Sequence, residues 1–343
     1  MKTKIIASIG PKSRNYKTIH SFIKNGAEIF RFNFSHATEK EFLEGLKIVR
    51  QAAKDLNKKV KVMQDLQGPR IRLGIVPKDG MEIKEGKVYE FAFRKKTDPK
   101  KSIIDIDNPY LHIDIKEGDP LFITGGEIKL EVIKIKGQSI FAKAIIGGIV
   151  FSHKGINIPK TSLSKGGLTT KDIRDAKFAL KHNINYIALS FVQGAEDIKK
   201  LRKIISEKKT KIIAKIERAI ALDNIDNIIK ESDGIMVARG DLGIEIPMED
   251  VPIIQKYLIR QAHWHKKPVI VATQMMTSMI NHPNPTRAEV NDVASAVFDR
   301  ADAVMLSDES AMGDYPEKAV YFMDKIINKI ESYIHKPNFF NNQ

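Results

Sequence analysis

The chain has 343 residues and a formal net charge of +15, from 57 Lys and Arg against 42 Asp and Glu. It has no cysteine, which excludes disulfides, thiolate metal sites and cysteine nucleophiles. The opening apolar run is too short for a signal peptide, and no run reaches the roughly 18 residues of a membrane span. We therefore expect a cytoplasmic protein without a membrane partner. The lysines are scattered and no arginine cluster accompanies them, so we expect no nucleic-acid partner, although anionic small substrates would benefit from the positive field.

Short apolar runs alternate with helical stretches, the pattern of a parallel sheet covered by helices. Eight such units favour an α/β fold, a closed (β/α)8 TIM barrel, over an open sheet. The predicted strands are Lys4–Ile9, Glu28–Phe34, Lys61–Leu66, Tyr186–Phe191, Lys211–Ile216, Gly234–Ala238, Pro268–Thr273 and Ala303–Ser307. The predicted helices are Tyr16–Asn25, Glu39–Asp55, Thr170–Lys181, Ala195–Ser206, Ala219–Glu231, Val251–His265, Arg287–Phe298 and Pro316–Ile334. Thr286 is a candidate N-cap, because Glu289 follows three residues later.

One interval, after the third strand, is far too long for a loop and carries turn-rich β patterns such as SIFAKAIIGG. We predict a small β-barrel lid domain at residues 73–160, inserted into a barrel made of residues 1–72 and 161–343. An insertion at this point would cover the mouth formed by the carboxyl ends of the strands, where the active sites of TIM barrels lie. It could act as a hinged lid that excludes water, or be a rigid addition.

The stretch from Lys211 to Pro247 carries the strongest signal for chemistry. It predicts a strand, a helix and a second strand, with charged residues where each strand ends. Side chains alternate along a strand, so Lys215 and Glu217 face the same way; neighbouring strands lie about 4.8 Å apart, so Glu217 and Asp241 can reach one ion. Two carboxylates with open coordination positions suit Mg²⁺, and a nearby lysine could stabilise developing negative charge.

A solvated ion pair is the alternative interpretation of these charges. The string GDLG favours a binding site instead, because Gly240 permits close backbone approach. The amides of Gly240, Asp241 and Leu242 could bind an anion if a short helix begins there.

The segments IIAKIE (212–217) and MVARGDLGIEI (236–246) resemble signature segments of the pyruvate kinase family, and the likeness covers the whole chain. The resemblance implies phosphoryl transfer from phosphoenolpyruvate to ADP, giving pyruvate and ATP. It implies that Lys215 and Arg31 stabilise the transferring group, and that Glu217 and Asp241 hold Mg²⁺, with Mn²⁺ as a substitute. Gly240 and Thr273 would bind the substrate carboxylate, and the metal held by Asp241 would bind it too. Thr273 would also assist protonation of the enolate.

The segment RFNFSH follows the second strand and places Arg31, Asn33 and Ser35 on one face. The alternation alone is compatible with a structural hydrogen-bond network or with an oxyanion and nucleotide site. The resemblance favours the second interpretation. By resemblance the nucleotide contacts are Asn33, His36, Arg72 and Lys171, and the monovalent-cation ligands are Asn33, Ser35, Asp65 and the Leu66 carbonyl.

The chain departs from the family pattern at several positions. Arg70 stands where members that need potassium tend to have Glu and members that do not tend to have Lys, so we expect activity without K⁺. The lid hairpin has Thr124-Gly125-Gly126 where the family usually has Asp-Asp-Gly, which leaves the catalytic rate open. Asp308 stands where the family usually has Gly or Ala, and Met312 stands where it often has Lys. The nucleotide preference is therefore open. The chain also stops where the family usually continues into a C-terminal domain, so effector control of that type is not expected, and a homo-oligomer would form through the barrel.

Two other functions remain open from the residues. A Mg²⁺-dependent lyase or aldolase acting on a pyruvate enolate would share the two strand-end carboxylates, but it would need neither Lys215 nor the segments RFNFSH and DLQGPRIR. A non-catalytic nucleotide-binding descendant is the second, motivated by the altered lid hairpin. Retention of Arg31, Lys215, Glu217, Asp241 and Thr273 together argues against it.

Overall fold

The computed structural model describes residues 2–159, 161–164, 166–205 and 209–335. Eight parallel strands close into a barrel, which confirms the predicted (β/α)8 fold. Five predicted strands end one or two residues early. In two of them the predicted last residue, Phe191 or Thr273, adopts a left-handed backbone conformation with φ of 54° or 66°. The strands are β1 (Lys4–Ile9), β2 (Ala27–Asn33), β3 (Lys61–Asp65), β4 (Tyr186–Leu189), β5 (Lys211–Ile216), β6 (Gly234–Ala238), β7 (Val269–Ala272) and β8 (Ala303–Leu306).

The interior of the barrel is filled in layers by side chains from alternate strands. The odd-numbered strands supply an apolar, buried middle layer, which consists of Ile6, Met63, Ile213 and Ile270. Two positions later, toward the carboxyl ends, the first, third and fifth strands present Ser8, Asp65 and Lys215, which are also buried. Chemistry-bearing side chains therefore lie on one side of an apolar plug.

Helices surround the barrel and bury a second, larger core against the outer faces of the strands. Thr38, Thr169 and Thr286 each begin a helix with a reciprocal capping box, so the predicted N-cap at Thr286 is confirmed. None of the described helices is long and apolar enough to cross a membrane. The helices are α1 (Tyr16–Lys24), α2 (Glu39–Asp55), α3 (Thr170–Leu180), α4 (Ala195–Ile205), α5 (Ala219–Asp223), α6 (Ile225–Glu231), α7 (Arg239–Glu245), α8 (Val251–Trp264), α9 (Arg287–Phe298), α10 (Asp308–Ala311) and α11 (Pro316–His335).

Two predicted helices differ from the described structure or extend beyond it. The single helix predicted for Ala219–Glu231 is wrong, because Asn224 interrupts it and separates α5 from α6. The Asn224 side chain donates to the backbone carbonyls of Ile220 and Gln193, the kind of local bond that competes with the helix. The predicted end of the preceding helix, Ser206, lies outside the described residues.

The insertion after β3 forms a separate β structure with its own apolar core. Its seven-stranded sheet includes Ile71–Arg72, the two residues before the predicted boundary, paired with Gly155–Asn157. A two-stranded sheet joins Met81–Ile83 to Gly148–Val150, and a short helix spans Leu111–Asp114. The remaining strands of the larger sheet are Val88–Phe93, Ile103–Ile106, Pro120–Ile123, Ile128–Lys136 and Ser139–Ile146.

Candidate active site

A polar cavity of about 90 Å³ opens at the carboxyl ends of the barrel strands. It collects side chains from strands that are far apart in the sequence, since the carboxyl ends of all eight parallel strands meet at this mouth. The lining includes Arg31, Asn33, Ser35, Arg70, Lys215, Glu217, Asp241 and Thr273, together with Gln67, Ser190, Phe191 and Met305.

Lys215, near the end of β5, is the centre of a buried network. Its ammonium lies 3.2 Å from Asp65 Oδ1 and 2.9 Å from Glu217 Oε1, and it donates to Ser190 Oγ at 2.7 Å. Burial disfavours the charged form, but the carboxylates of Asp65 and Glu217 outweigh it and raise the pKa of Lys215. Lys215 is therefore a fixed cation at neutral pH.

Asp65, at the end of β3, joins this lysine to Arg31 on β2. Arg31 Nε lies 2.6 Å from Asp65 Oδ2, and Arg31 also donates to Ser8 Oγ at 2.8 Å. Burial opposes ionisation of Asp65, but Lys215 and Arg31 together lower its pKa. One buried carboxylate thus orients two cations toward the same cavity.

Glu217 and Asp241 are the predicted metal ligands, directly after β5 and at the start of α7. Glu217 Oε2 accepts a hydrogen bond from the Phe191 amide at 2.7 Å. Burial raises the pKa of Glu217, Lys215 opposes that effect, and the negative charge of Asp241 adds to it. A bound cation would relieve this surplus negative charge, and the donors are the hard carboxylate oxygens that Mg²⁺ prefers. Within the described residues no group of three or more acidic or histidine side chains forms a complete cage, so other ligands would be water or substrate oxygens.

Thr273 follows β7 in a strained conformation, with φ of 66°. Its Oγ1 accepts a hydrogen bond from the Gly240 amide at 2.7 Å, so the predicted carboxylate-binding pair lies together. Arg239 holds this turn, because its guanidinium donates to the Thr273 carbonyl at 2.9 Å and pairs with Asp292. The predicted short helix does begin here, at Arg239, although the Gly240 amide is already bonded to Thr273.

Arg70 lies where the lid meets the barrel. Its guanidinium is 3.6 Å from Asp241 Oδ1 on one side. On the other side it packs against Gly155 of the lid, where an added Cβ would lie 2.9 Å from Arg70 Nε. Glycine at position 155 therefore lets the lid strand approach this arginine.

The predicted nucleotide contacts spread outward from the cavity. Asn33 lines it, and its Oδ1 accepts from the Ser35 amide at 3.1 Å. The pKa of His36 is lowered by partial desolvation and then by the positive charge of Arg72, while Asp308 acts against them. Arg72 reaches the carbonyl of His153 in the lid at 3.4 Å.

Lys171, the remaining predicted nucleotide contact, does not line the cavity. Its ammonium donates to the Phe34 carbonyl at 2.6 Å and pairs with Asp175 at 2.5 Å. In this arrangement Lys171 supports the loop after β2 through the Phe34 carbonyl, without reaching the cavity.

The predicted monovalent-cation ligands are only partly available in this arrangement. Asn33 and Ser35 face the cavity, but both oxygens of Asp65 already contact Lys215 and Arg31. Leu66 is buried, and its amide donates to the Ala188 carbonyl.

The lid hairpin Thr124–Gly126 lies close to Ile244 of α7. All three residues have positive φ, of 52°, 68° and 95°. The Thr124 hydroxyl is buried and has no hydrogen-bond partner. The hairpin therefore brings backbone close to α7 and carries no carboxylate of its own.

Sequence reasoning missed several residues that support the site. Ser190 bridges Lys215 and Asp65, donating to Asp65 Oδ1 at 3.2 Å, and Ser8 accepts from Arg31. Alternation along β4 could have identified Ser190, because it shares a face with Tyr186 and Ala188 and is the polar residue after an apolar run. Ser8 follows the same rule on β1.

Comparison with known proteins points to one family. A family model described as "Pyruvate kinase, barrel domain" matches residues 1–320. A pyruvate kinase of Agrobacterium vitis is 43% identical over 334 residues, which cover 97% of this chain and 70% of the relative. A pyruvate kinase of Thermococcus litoralis is 41% identical, again over 97% of this chain and 70% of the relative. A crystal structure of a pyruvate kinase from Cryptosporidium parvum has a TM-score of 0.93 at 37% identity, covering 98% of this chain and 70% of that one.

Proposed function

The chain belongs to the pyruvate kinase family and is a phosphotransferase, and we propose how its own residues act at the barrel mouth. Pyruvate kinases use phosphoenolpyruvate and ADP as substrates. The reaction moves the phosphoryl group from the enol oxygen of phosphoenolpyruvate to a β-phosphate oxygen of ADP. The enolate left behind takes a proton at carbon and becomes pyruvate. The lyase and the non-catalytic alternatives are not favoured by these relatives.

The observation that carries this proposal is the convergence of Lys215 and Arg31 on Asp65, in the cavity that also holds Glu217 and Asp241. Phosphoryl transfer passes through a loose transition state with charge on the equatorial oxygens, so catalysis depends on positioning and charge neutralisation. Lys215 stabilises the transferring group and then the leaving enolate. Arg31 neutralises a phosphoryl oxygen. Both cations are held by buried partners, so little reorganisation is needed during reaction.

Pyruvate kinases generally use Mg²⁺ and K⁺. We assign Glu217 and Asp241 as the protein ligands of Mg²⁺, with Mn²⁺ as a substitute, since their oxygens and surplus negative charge suit a divalent cation. When bound, the metal supplies Lewis-acid polarisation of substrate oxygens. The Lys215 contact keeps one oxygen of Glu217 in the cavity, and the Phe191 amide fixes the other.

The Gly240 amide and the Thr273 hydroxyl would hold the substrate carboxylate. The 2.7 Å hydrogen bond from the Gly240 amide to the Thr273 hydroxyl would open, and the hydroxyl would release the Ala272 carbonyl, to which it donates at 2.6 Å, so that both groups can donate to the substrate. Thr273 would then direct the water relay that protonates the enolate. The clamp from Arg239 to Asp292 keeps this turn in place during the exchange.

The nucleotide would lie beside Asn33 and His36, under the lid. Arg72 would contact the nucleotide from the hinge. Lys171 would contact it after releasing Asp175, or would act indirectly by supporting the Phe34 carbonyl. The negative charge of Asp308 acts on His36 and raises its pKa. We therefore propose that Asp308 influences which nucleotide the enzyme prefers.

Arg70 would replace the charge of the monovalent cation. Three observations support this role: Arg70 lines the cavity, it lies 3.6 Å from Asp241, and the carboxylate of Asp65 is already neutralised by two other cations. We therefore propose that the enzyme works without K⁺.

Residues 73–160 would close over the cavity as a lid, hinged near Arg72 and Gly155. The guanidinium of Arg218 donates to the carbonyls of Ile158 and Thr161, which would anchor the return of the chain to the barrel.

We place the enzyme in the cytoplasm, as is general for the family. We further propose association through the barrel, for which the exposed apolar residues Ile253 and Trp264 of α8 offer a surface; light scattering tests it.

The decisive experiment measures pyruvate formation from phosphoenolpyruvate in a coupled assay, with and without ADP, Mg²⁺ and K⁺. We expect turnover that needs ADP and Mg²⁺ and persists without K⁺. Pyruvate formation without ADP would support the lyase alternative, and nucleotide binding without turnover would support the non-catalytic one. A large rise in rate on adding KCl would overturn the role of Arg70.

A further inference from the structure

The chain crosses between the barrel and the lid twice, and a buried arginine of the barrel lies beside the return crossing. The outward crossing runs through residues 69–71, and the return crossing follows the lid strand Gly155–Asn157. Residues of both crossings line one small cavity of about 20 Å³, which has room for a single water. Arg218 lines the same cavity and donates to the carbonyls of Ile158 and Thr161, at 3.1 and 2.6 Å. One barrel side chain therefore holds the returning chain.

Arg218 also pairs with the far end of α7. Its Nε lies 3.7 Å from Glu245 Oε2, and both side chains are buried. The same carboxylate oxygen accepts a hydrogen bond from the Ala219 amide at 3.3 Å, and the Asn157 side chain of the lid adds a hydrogen bond to Glu245. Glu245 therefore joins three segments, which are the end of α7, the turn after β5 and the last strand of the lid.

This ion pair joins the same two segments that carry the assigned metal ligands. Glu217 directly precedes Arg218 after β5, and Asp241 lies in the first turn of α7, four residues before Glu245. Four residues span about 6 Å along a helix, so the helix backbone fixes Asp241 relative to Glu245. The carboxylates of Glu217 and Asp241 have like charges and repel each other. The ion pair therefore holds together two segments whose catalytic ends repel.

The outward crossing contacts the opposite end of α7. Arg70, which belongs to that crossing, lies 3.6 Å from Asp241 Oδ1. Arg70 and Phe191 line both the small cavity and the catalytic cavity, and the Phe191 amide donates to Glu217 Oε2 at 2.7 Å. Each assigned metal ligand thus contacts a residue that also borders the two crossings.

We propose that Arg218 and Glu245 are positioning residues, which set the separation of Glu217 and Asp241 and couple metal binding to the return crossing of the lid. The proposal rests on the assignment of Glu217 and Asp241 as the Mg²⁺ ligands. Because the ion pair is buried, loss of one partner leaves the other charge unpaired and releases the two segments. A metal held by the carboxylates and an ion pair one helical turn away stabilise the same arrangement, so each strengthens the other.

The test measures Mn²⁺ affinity without substrate, by electron paramagnetic resonance. Arg218→Lys keeps the charge but loses the fork that reaches Glu245 and two carbonyls at once. Glu245→Gln removes the charge and keeps a hydrogen-bond acceptor, which guards against misfolding. We expect each variant to weaken Mn²⁺ binding by roughly tenfold, as for other groups that orient metal ligands.

Arg202→Lys is the matched control. Arg202 also pairs with a carboxylate, Asp233 at 2.7 Å, and donates to a carbonyl, that of Glu231 at 3.1 Å, but it does so near the amino end of β6. This variant should bind Mn²⁺ as tightly as the native enzyme. Equal weakening in Arg202→Lys and Arg218→Lys would overturn the proposal, because any altered arginine would then produce the effect.

Two further measurements separate positioning from a merely structural role. Saturating Mg²⁺ should restore most of the turnover of Arg218→Lys, because the loss is one of metal affinity. A structural role would lower the melting temperature and reduce turnover at every Mg²⁺ concentration, which would overturn the proposal. Mn²⁺ should slow deuterium exchange of residues 155–158 in the native enzyme but not in metal-saturated Arg218→Lys, and equal slowing in both would refute the coupling to the lid.

Glu217→Gln distinguishes this inference from the metal assignment on which it rests. If Glu217→Gln keeps native Mn²⁺ affinity, the metal assignment is wrong and the positioning role falls with it. If Glu217→Gln loses that affinity while Arg218→Lys and Glu245→Gln keep it, the metal assignment holds and only the positioning role is refuted. The double variant Arg218→Lys/Glu245→Gln should bind no more weakly than the weaker single variant, because the two residues act through one contact. Additive losses would refute action as a pair.

Discussion

The cationic side chains at the two ends of the barrel differ in burial and in pairing with carboxylates. At the carboxyl end, Lys215 and Arg31 are buried, and each contacts a carboxylate within 3.2 Å. At the amino end, Lys61 and Lys211 are exposed and pair with no described acidic side chain. The difference teaches that position in the layers, and not residue type, decides what a lysine can do.

Burial is the physical cause of this difference. A charge taken out of water needs a partner or it is neutralised, so a lysine inside the catalytic mouth requires Asp65 and Glu217. A lysine at the open amino end keeps its hydration and needs no acidic partner. The first arrangement is preorganised for a reaction, and the second leaves its lysines in solvent.

The largest expected effect comes from Lys215→Met. Loss of the ammonium removes charge stabilisation of the transferring group, and the coupled assay should show turnover reduced by roughly 10³-fold or more. Mn²⁺ binding, followed by electron paramagnetic resonance, should persist, because Glu217 and Asp241 remain. Lys211→Met is the matched control: it lies four residues earlier on β5, faces the same axis, and should keep full turnover. Equal activity in the two variants would remove Lys215 from the mechanism.

Arg70→Glu tests whether a fixed guanidinium replaces the monovalent cation. Without it, turnover in K⁺-free buffer should fall by roughly tenfold or more, and KCl should restore much of the loss. Rates are measured across a KCl titration at constant ionic strength. Lys78→Glu, on the exposed surface of the lid, makes the same charge change and should leave the K⁺ response of the native enzyme unaltered. A variant that stays K⁺-independent would contradict the role of Arg70.

Ser190→Ala should have a smaller effect, since Ser190 positions Lys215 without contacting the reacting atoms. We expect kcat to fall by roughly tenfold, as for other residues that orient a catalytic group. KM for ADP should stay constant, and the alkaline limb of the pH–rate profile should move, because the lysine loses a hydrogen-bond acceptor. Ser190→Thr keeps the hydroxyl and should recover most of the rate. A purely structural role would instead lower thermal stability without moving the profile.

The smallest expected effect is the pH dependence of stability from His36. Burial, and then Arg72, lower its pKa below 6.5 in the folded state, so the unfolded chain takes up the proton first as pH falls. The free energy of unfolding should therefore decrease as pH falls below about 6.5, until the folded state is also protonated. His36→Gln should remove this part of the slope in denaturant titrations. His335→Gln, on the exposed end of α11, is the control, and an identical change in both variants would exclude His36 as the source.

The eight strands and most helix bounds followed from local patterns, because apolar runs, capping residues and turn residues act over a few positions. The same locality placed Lys215 and Glu217 on one face and put Thr286 at a helix start. It failed at Asn224, where a side chain that bonds to the backbone interrupts an otherwise helical pattern. The predicted domain limits at residues 72 and 160 remain a prediction.

By itself the sequence determined the class of fold and the strand ends at which polar residues gather, since a strand end is a local feature. Only the tertiary structure decided which of those residues meet. Closure of the barrel brings Asp65 between Arg31 and Lys215, and strand pairing in the lid packs Gly155 against Arg70. The reason is register: contacts between strands far apart in the chain depend on how all eight strands align, which no short segment encodes.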